Sequence, residues 1–424
     1  METIAIVALV VLVLAGAPIW VSALTGATIM AVVALDMSPI ILISVMYQKV
    51  AQTALIAVPL FIFSGQLLAV GGAAGPIVKV LNGFLGHVRG GPAYVIILAC
   101  TIFGAMSSSA TAAIAGFGPI MLPMMAQAGY SRRFSLGLLI GSVALAPLIP
   151  PSIPLIIFGY LTETSIRDLY VAGFIPGLLL AGLLAITVFI HSSRGHYTPV
   201  QKFTWGERWQ AVKKGWPVML MPVAVLVPIY GGWVTPSEGA VVAVIYSLIL
   251  GFIAYRKLTL KNVWGAASTT VHVTSMLLLI MGAAFLLNLA FTYVRIPFKM
   301  NDALTSAGFG ANTFLIVIIM AYLLMGMFLD PSAILMVSAP LLMPTILGLG
   351  ISPILFGVVV VFSIEIACLT PPYGLVLFAA MAVLKESFGN IVRGLLMFYP
   401  ALIVGQLMIA FIPQISLFLP NLLK

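Results

Sequence analysis

The chain has 424 residues, of which 62% are hydrophobic and only 7% are charged, and its mean hydropathy is +1.22. This composition excludes a soluble globular protein and predicts an all-α membrane protein that crosses the bilayer many times. The formal net charge of +9 does not indicate binding to nucleic acid, because the basic residues lie in loops between the apolar runs.

The first apolar run opens the chain as METIAIVALVVLVLAGAPIW, without the basic segment that begins a secretory signal. We therefore expect this run to be retained as a first membrane span. It belongs to an N-terminal region over residues 1–50, which precedes the rest of the membrane domain.

Residues 145–155 read LAPLIPPSIPL and place four prolines inside an apolar run. Proline lacks a backbone N–H and clashes with the preceding turn, so the helix predicted over 135–160 is broken in its middle. A break at membrane depth is tolerated only against protein or a water-filled cavity, because lipid cannot satisfy the freed backbone groups. The double proline recurs in LTPPYG at 369–374, which predicts a second broken helix over 354–380.

The two broken helices belong to a longer internal repeat. PIMLPMMAQAGYS at 119–131 aligns without a gap with PLLMPTILGLGIS at 340–352. The same offset matches Pro150 and Pro151 with Pro371 and Pro372, and it matches Gly173 with Gly394. This agreement at one constant offset indicates a duplication, with one copy over 51–193 and the other over 272–414.

The positive charges predict that the two copies are inverted. Arg132 and Arg133 follow the first copy's AQAGYS, whereas the matching ISPILF carries no charge, so the two corners lie on opposite sides. Residues 194–271 then form a cytoplasmic loop and linker spans, while 161–168 and 293–301 face outward. This topology places 14 of the 19 basic residues in the cytoplasm, namely Lys79, Arg89, Arg132, Arg133, Arg194, Lys202, Arg208, Lys213, Lys214, Arg256, Lys257, Lys261, Lys385 and Arg393.

One segment of each copy returns to the side on which it began. Residues 92–130 join two predicted cytoplasmic points and residues 312–350 join two outer points, so each predicts a re-entrant hairpin. The middle of the first is GAMSSSATAAIAG and that of the second is MGMFLDPSAILM. Together with the broken helices, these tips supply helix ends, hydroxyls and carbonyl oxygens near the membrane midplane. Such oxygens suit a hard cation such as Na⁺, and helix N-termini suit an anion.

Five motifs carry a family resemblance over essentially the whole chain. In order they are GAMSSSA, LIPPSIPLIIFG, GGWVTPSEGAVVAVIY, GMFLDPSAILMVSAPLLMP and EIACLTPPYGLVLF. They resemble the large membrane subunit of tripartite ATP-independent periplasmic (TRAP) transporters. The resemblance implies an elevator-type architecture of the ion-transporter superfamily in the bacterial inner membrane, with scaffold spans that include 1–50 and a mobile transport domain.

The resemblance also implies the partners and the driving ion. Na⁺ is expected to be the coupling ion, and no organic cofactor is expected. The partners would be a small four-helix membrane subunit, a periplasmic substrate-binding protein and an organic acid such as a dicarboxylate or sialic acid.

Two Na⁺ sites are implied by the same resemblance. The first lies near Ser107, Ser109 and Pro150, between the first hairpin tip and the first broken helix. The second occupies the equivalent place in the second copy. This second site lies near Asp330, Thr370 and Gly374. The full set of expected ion- and substrate-binding residues is Ser107, Ser108, Ser109, Ile149, Pro150, Pro151, Ser152, Asp330, Glu365, Thr370, Pro371, Pro372 and Gly374.

The chain departs from the family pattern at the first tip. Ser108 stands where a glycine is common, and Ala110 stands where a serine is common. The identity of individual ligands at the first site is therefore left open, although backbone carbonyls remain available.

Three carboxylates have specific interpretations. Intramembrane carboxylates are costly and are functional by default. Asp330 is either an ion ligand or a helix cap, and Glu365 either orients the site or makes a structural hydrogen bond. Glu238, within TPSEG, is expected to make only an N-terminal contact with a helix dipole.

Other classes of protein fit the sequence less well. An intramembrane protease is disfavoured, since H-E-x-x-H is missing and the histidines are predicted near span ends, at His87, His191, His196 and His272. A channel is disfavoured because inverted broken hairpins suit alternating access. No G-x-x-x-x-G-K-[ST] motif offers an ATP site. An autonomous Na⁺- or H⁺-coupled carboxylate carrier, working without a binding protein, stays open as the alternative.

Overall fold

The computed structural model describes residues 7–9, 11–12, 15–34, 36–195, 197 and 202–423. The start of the predicted first span, His196 and Lys424 lie outside the described residues. The described part of the chain is built from helices and turns and contains no strand. Seven of its helices are long and apolar enough to cross a membrane, or up to nine if each of two bent pairs is one span. The prediction of an all-α polytopic membrane protein is confirmed.

Within the described residues, 7–9 and 11–12 are helical, two full helices follow them, and a short 3-10 helix (Thr53–Ile56) with seven α-helices forms the first copy. The N-terminal pair comprises α1 (Ile19–Thr28, continued as a π-helix over Ile29–Ala34) and α2 (Pro39–Val50). The first copy comprises α3 (Ala57–Val70), α4 (Ala74–Leu85), α5 (Gly91–Ser107), α6 (Ala110–Gln127), α7 (Arg132–Val143), α8 (Ile153–Leu161) and α9 (Ile166–Arg194).

Two linker helices and nine further helices complete the described chain. The linker comprises α10 (Trp205–Tyr230) and α11 (Pro236–Ile249, continued as a π-helix over Leu250–Ala254). The remainder comprises α12 (Leu260–Tyr293), α13 (Ile296–Ser306), α14 (Ala311–Gly326), α15 (Pro331–Gly348), α16 (Pro353–Cys368), α17 (Leu375–Leu384), α18 (Phe388–Leu395), α19 (Tyr399–Phe411) and α20 (Gln414–Leu422).

The hairpin and the broken helix recur at the predicted offset. Helices α6 and α15 have the same length and begin at matching positions of the repeat, and each is preceded by an N-cap, Ser109 in one copy and Asp330 in the other. Helices α7 and α16 also begin at matching positions, after Ser131 and Ser352. The hairpin pairs α5–α6 and α14–α15 and the broken pairs α7–α8 and α16–α17 therefore confirm the predicted repeat. The outer limits of the two copies stay a prediction.

The copies differ after the broken helix. In the first copy α9 continues for 29 residues, and Pro176 lies inside it without ending it. The same stretch of the second copy is divided into α18, α19 and α20, with a bend of 120° between α17 and α18 and one of 55° between α19 and α20. Pro400 lies in the first turn of α19 and Pro413 precedes α20, so proline fits the start of each helix.

Helix α12 begins well before His272, the residue at which the second copy is predicted to start. Helix α12 begins at Leu260, where Thr259 caps its first turn, so His272 lies inside a 34-residue helix. Such a helix is about 50 Å long, which exceeds a hydrocarbon core of about 30 Å. The hydrophobic run of the sequence marked only the part of the helix that the bilayer requires to be apolar.

The core is centred on the first halves of the two broken helices. Every residue of α7 from Phe134 to Val143 is buried, and so is every residue of α16 from Leu355 to Cys368. A helix that is apolar on all sides avoids water, either in a protein core or in the lipid of a membrane, and these two helices lie in the protein core. Helices α5 and α6 cover α7, while α14 and α15 cover α16.

The two copies pack against each other reciprocally. The second hairpin arm of the first copy, α6, packs against α17, and its counterpart α15 packs against α8. In the same way α7 packs against α18, and α16 packs against α9. A two-fold relation between the copies produces this exchange of partners.

Contacts near the helix ends agree with the predicted sides of the membrane. Nε of Arg132 donates to Oε1 of Glu386 at 2.8 Å, which joins two corners that were both assigned to the cytoplasm. Nη2 of Arg167, in the loop 161–168 assigned to the outer side, donates to the carbonyl of Tyr230 at 2.7 Å, at the end of α10 opposite to its cytoplasmic start. The cytoplasmic or outer identity of each face stays a prediction.

Helices α7 and α18 touch through their backbones at two glycines. A Cβ added to Gly137 would lie 2.1 Å from the carbonyl oxygen of Gly394, and one added to Gly394 would lie 2.2 Å from that of Arg133. No side chain separates the two copies at this point. Glycine is required at both positions because the backbones of the two helices approach too closely to admit a Cβ atom.

We expect Gly137→Ala to lower the thermal stability of the purified protein, since backbone must shift to admit the new methyl group. Overpacking of this kind costs about 1–3 kcal/mol. Thermal unfolding in detergent measures the change. Gly182→Ala in α9 is the matched control, because its Cβ would meet nothing within 4 Å. Equal melting temperatures for the two variants would contradict the proposed close contact.

Candidate ion and substrate site

The first hairpin turns within two residues between α5 and α6. Ser107 ends α5, and Ser108 adopts a left-handed conformation with φ of 48°. Ser109 then caps α6, since its Oγ accepts from the amide of Ala112 at 3.2 Å. The run of three serines therefore divides into a helix end, a turn and an N-cap.

Two glycines let other segments approach the first tip closely. A Cβ on Gly65 of α3 would lie 2.9 Å from the carbonyl oxygen of Ser107. A Cβ on Gly104 of α5 would lie 2.6 Å from Cα of Ala146, in the unwound part of the broken helix. The hairpin, α3 and the unwound segment thus meet backbone to backbone.

The first broken helix is unwound from Ala144 to Ser152, between α7 and α8. Oγ of Ser108 accepts from the amide of Ile153 at 2.9 Å, which ties the hairpin tip to the start of α8. Ser152 caps α8 by accepting from Leu155, and its hydroxyl also donates to the carbonyl of Pro147. The structure therefore brings the predicted serines of the tip next to the predicted unwound segment.

The other predicted residues of this segment offer backbone rather than side-chain ligands. Ile149 is buried and its side chain packs towards Gly177 of α9, where a Cβ would lie 2.4 Å from Cγ1. Pro150 and Pro151 are joined by a cis peptide bond, as are Pro371 and Pro372 in the second copy. Whether any of these groups binds an ion stays a prediction.

The second hairpin tip is capped by a carboxylate. Oδ1 of Asp330 accepts from the amides of Ser332 at 2.9 Å and Ala333 at 3.1 Å, at the start of α15. The geometry therefore shows that Asp330 caps the N-terminus of α15. Near the same tip Gly326 approaches α16, where a Cβ would lie 2.5 Å from that of Ala367.

Glu365 lies in the buried end of α16 and is only 7% exposed. It is within electrostatic range of Asp330 and of Cys368. Within the described part of the chain its carboxylate has no hydrogen-bond or ion-pair partner, so the structural hydrogen bond considered for it is not found. A buried carboxylate without a partner is costly, and a cation or a proton would relieve that cost.

The second broken helix is unwound from Leu369 to Gly374. The hydroxyl of Tyr399 donates to the carbonyl of Leu369 at 2.6 Å, and that of Thr370 donates to Ile366 at 2.7 Å. Gly374 is the N-cap of α17 and has a φ of +59°, and a Cβ there would lie 3.1 Å from the carbonyl oxygen of Cys368. This unwound segment directly follows α16, the helix that contains Glu365. It includes four of the predicted site residues, Thr370, Pro371, Pro372 and Gly374.

The repeat offset shows a chemical difference between the two sites that the motifs alone do not reveal. Asp330 corresponds to Ser109, and Glu365 corresponds to Ala144. The first site is therefore neutral, while the second contains two carboxylates. The sequence alone could have revealed this difference, if the gap-free alignment of the two copies had been extended over the hairpin tips.

Tyr399 is a further residue of the second site that sequence reasoning missed. It lies 30 residues from the carbonyl that it binds, and no motif contains it. By contrast, the expectation for Glu238 is confirmed, because Thr235 and Glu238 form a capping box at the start of α11.

We expect Ser108→Ala to destabilise the protein by about 1–3 kcal/mol, because the half-buried amide of Ile153 loses its acceptor. Ser108→Gly should destabilise it less, since glycine adopts the left-handed conformation freely while the hydrogen bond is equally lost. Thermal unfolding of both variants tests this order. A glycine variant that melts below the alanine variant would show that the turn conformation is unimportant.

The fold and these paired sites define a multi-pass membrane transporter assembled from two related halves. Residues 6–415 match the family model of the tripartite ATP-independent periplasmic transporter, DctM component. The chain belongs to this family, as a large membrane subunit of a TRAP transporter.

Curated relatives agree over nearly the full chain. The ectoine/5-hydroxyectoine TRAP transporter large permease protein of Ruegeria pomeroyi is 34% identical over 89% of this chain and 88% of its own. The C4-dicarboxylate large permease protein of Pseudomonas aeruginosa is 35% identical over 87% and 86%. The sialic acid large permease protein of Vibrio cholerae is 32% identical over 87% and 86%.

A solved structure shares the fold. The YdaH transporter of Alcanivorax borkumensis aligns with a TM-score of 0.59 over 88% of this chain and 89% of its own, at 17% identity. At that identity the likeness concerns the fold alone.

Proposed function

We propose that this chain is the large subunit of a Na⁺-coupled secondary transporter that imports an organic acid. The observation that carries the proposal is the meeting of the first hairpin tip with the buried unwound segment of the first broken helix, together with the two carboxyl groups near the second hairpin tip. At the first site Ser108 joins the tip to α8, and at the second Asp330 lies within electrostatic range of Glu365. Both arrangements present oxygen atoms within an apolar interior, which suits a hard cation.

The substrate class rests on the relatives. Those described above carry ectoine, C4-dicarboxylates or sialic acid, and one of Escherichia coli carries 2,3-diketo-L-gulonate. These molecules differ in size and in net charge, but each contains a carboxylate. We therefore assign to this chain a small organic acid, bound through its carboxylate.

The remaining parts of the system follow from the family. A periplasmic binding protein would deliver the substrate, and a small four-helix membrane subunit would accompany this chain in the bacterial inner membrane. Transport would proceed by an elevator movement of the two hairpins and broken helices past the scaffold. Reciprocal packing of α6 on α17 and α15 on α8 supports this movement, because it makes the two sites parts of one body.

Uptake into proteoliposomes tests the coupling ion. With the small subunit and a loaded binding protein present, we expect uptake under an inward Na⁺ gradient to fall at least tenfold when K⁺ replaces Na⁺. ATP should have no effect, since the chain has no nucleotide motif. Equal rates in the two salts would contradict Na⁺ coupling, and full uptake without the binding protein would favour an autonomous carrier.

The proline pairs provide a second test. Replacing Pro150 and Pro151, or Pro371 and Pro372, by alanine should favour helix by about 3 kcal/mol per residue and withdraw carbonyls into intrahelical bonds. We expect Na⁺ activation of uptake to shift to higher concentration before expression falls. If the prolines only kink a packed helix, stability will change and the Na⁺ midpoint will not. An unchanged midpoint in both variants would remove the support for these sites.

A further inference from the structure

A cavity of about 510 Å³ opens beside α8, outside the two sites described above. One wall comes from Lys49 at the end of α2, from Gln52 just after it, and from Phe285 of α12. The opposite wall is the turn over residues 159–167, which joins α8 to α9. The volume lies within the range of small-molecule sites, about 300–1,000 Å³.

The cavity lies one short helix away from the first site. Its turn begins at the last residues of α8, and the unwound segment ends where α8 starts. A nine-residue helix is about 14 Å long. The hydroxyl of Tyr160 donates to the carbonyl of Lys49 at 2.7 Å, so α8 is fixed against α2 at the cavity itself.

Two basic side chains line the cavity, and their bonding differs. Arg167 is held in place, because its Nε and Nη2 both donate to the carbonyl of Tyr230. Nζ of Lys49 lies 5.6 Å from the ring centroid of Phe285, and in the described residues Lys49 has no carboxylate partner. Glu163 is the acidic residue among the lining side chains, and it is exposed on the opposite wall.

The position of these charges is unusual for the topology. Fourteen of the 19 basic residues are predicted to be cytoplasmic, and Lys49 and Arg167 belong to the remaining five. Basic residues on the outer side do not help to orient the chain. The presence of two basic residues in one outer cavity therefore needs another explanation, and binding of an anionic ligand provides it.

We propose that this cavity receives the carboxylate of the substrate on the outer side, with the Lys49 ammonium as its counter-charge. The proposal rests on the proposed function and adds an entry site to it. Arg167 fixes the far wall through Tyr230, while Lys49 is free to bind the carboxylate. The substrate would pass from here along α8 to the first hairpin tip.

The charge preference of the cavity can be measured without knowing the substrate. Both native cysteines, Cys100 and Cys368, are buried, so Gln52→Cys introduces an accessible thiol in the cavity wall. We would compare its labelling rates with a sulfonate and with a trimethylammonium thiosulfonate reagent. Adding Lys49→Gln should lower the sulfonate-to-ammonium rate ratio at least about fivefold. Lys299→Gln, a matched loss of charge outside the cavity, should not. An unchanged ratio for Lys49→Gln overturns the proposal.

Uptake then tests the transport step. At saturating loaded binding protein we expect Lys49→Gln to lower the maximal rate at least tenfold and Lys49→Arg to retain it, with the Na⁺ midpoint unchanged in both. A normal maximal rate in Lys49→Gln overturns the entry site. A raised half-saturation for the binding protein, with the maximal rate intact, would instead identify a protein docking contact. If the wild type shows no Na⁺-dependent uptake at all, the proposed function fails, while the labelling ratio still decides the charge preference.

Discussion

The structure depends on satisfying backbone groups where two helices stop inside an apolar interior. Each interrupted helix leaves amides and carbonyls that lipid cannot bind, and each costs several kcal/mol if it stays unpaired. Side-chain hydroxyl groups form hydrogen bonds with several of these backbone groups. The hydroxyl of Ser108 accepts from the amide of Ile153. The hydroxyl of Ser152 donates to the carbonyl of Pro147 and accepts from the amide of Leu155. The hydroxyl of Tyr399 donates to the carbonyl of Leu369. These bonds reduce the cost of the breaks and hold the unwound segments in fixed positions.

The same requirement explains how the two sites differ. In the first copy a serine caps the hairpin arm, so the site contains no formal charge. In the second copy Asp330, which is half-buried, caps the equivalent arm and is within electrostatic range of the buried Glu365. If the proposed Na⁺ sites exist, the first would bind the cation through oxygen dipoles alone, whereas the second would also offer carboxylate ligands. The duplication therefore produced two related scaffolds with different electrostatic character.

Much of the architecture could be predicted from the sequence, because it depends on residues with strong backbone preferences. Four prolines in 145–155 predicted a broken helix, and the unwound segment lies at Ala144–Ser152. The small-residue hairpin and the constant offset between the copies were also correct. Features that depend on packing were not accessible. Neither the Tyr399–Leu369 bond nor the division of the second copy into α18, α19 and α20 follows from a local pattern. The start of α12 was missed because a helix can continue beyond the bilayer as a polar segment.

The reciprocal packing of the two copies has a consequence for how the protein is made. Helix α6 rests on α17, and α7 touches α18 through Gly137 and Gly394, yet more than half of the chain separates these partners in sequence. During synthesis the first copy is inserted into the membrane before the second copy has been translated. Until then the surfaces of α6 and α7 that contact α17 and α18 have no protein partner. Neither half is then a complete folding unit. The glycines at these contacts, Gly118 of α6 and Gly137 of α7, carry no polar side chain and can remain in lipid until the partner helices are inserted.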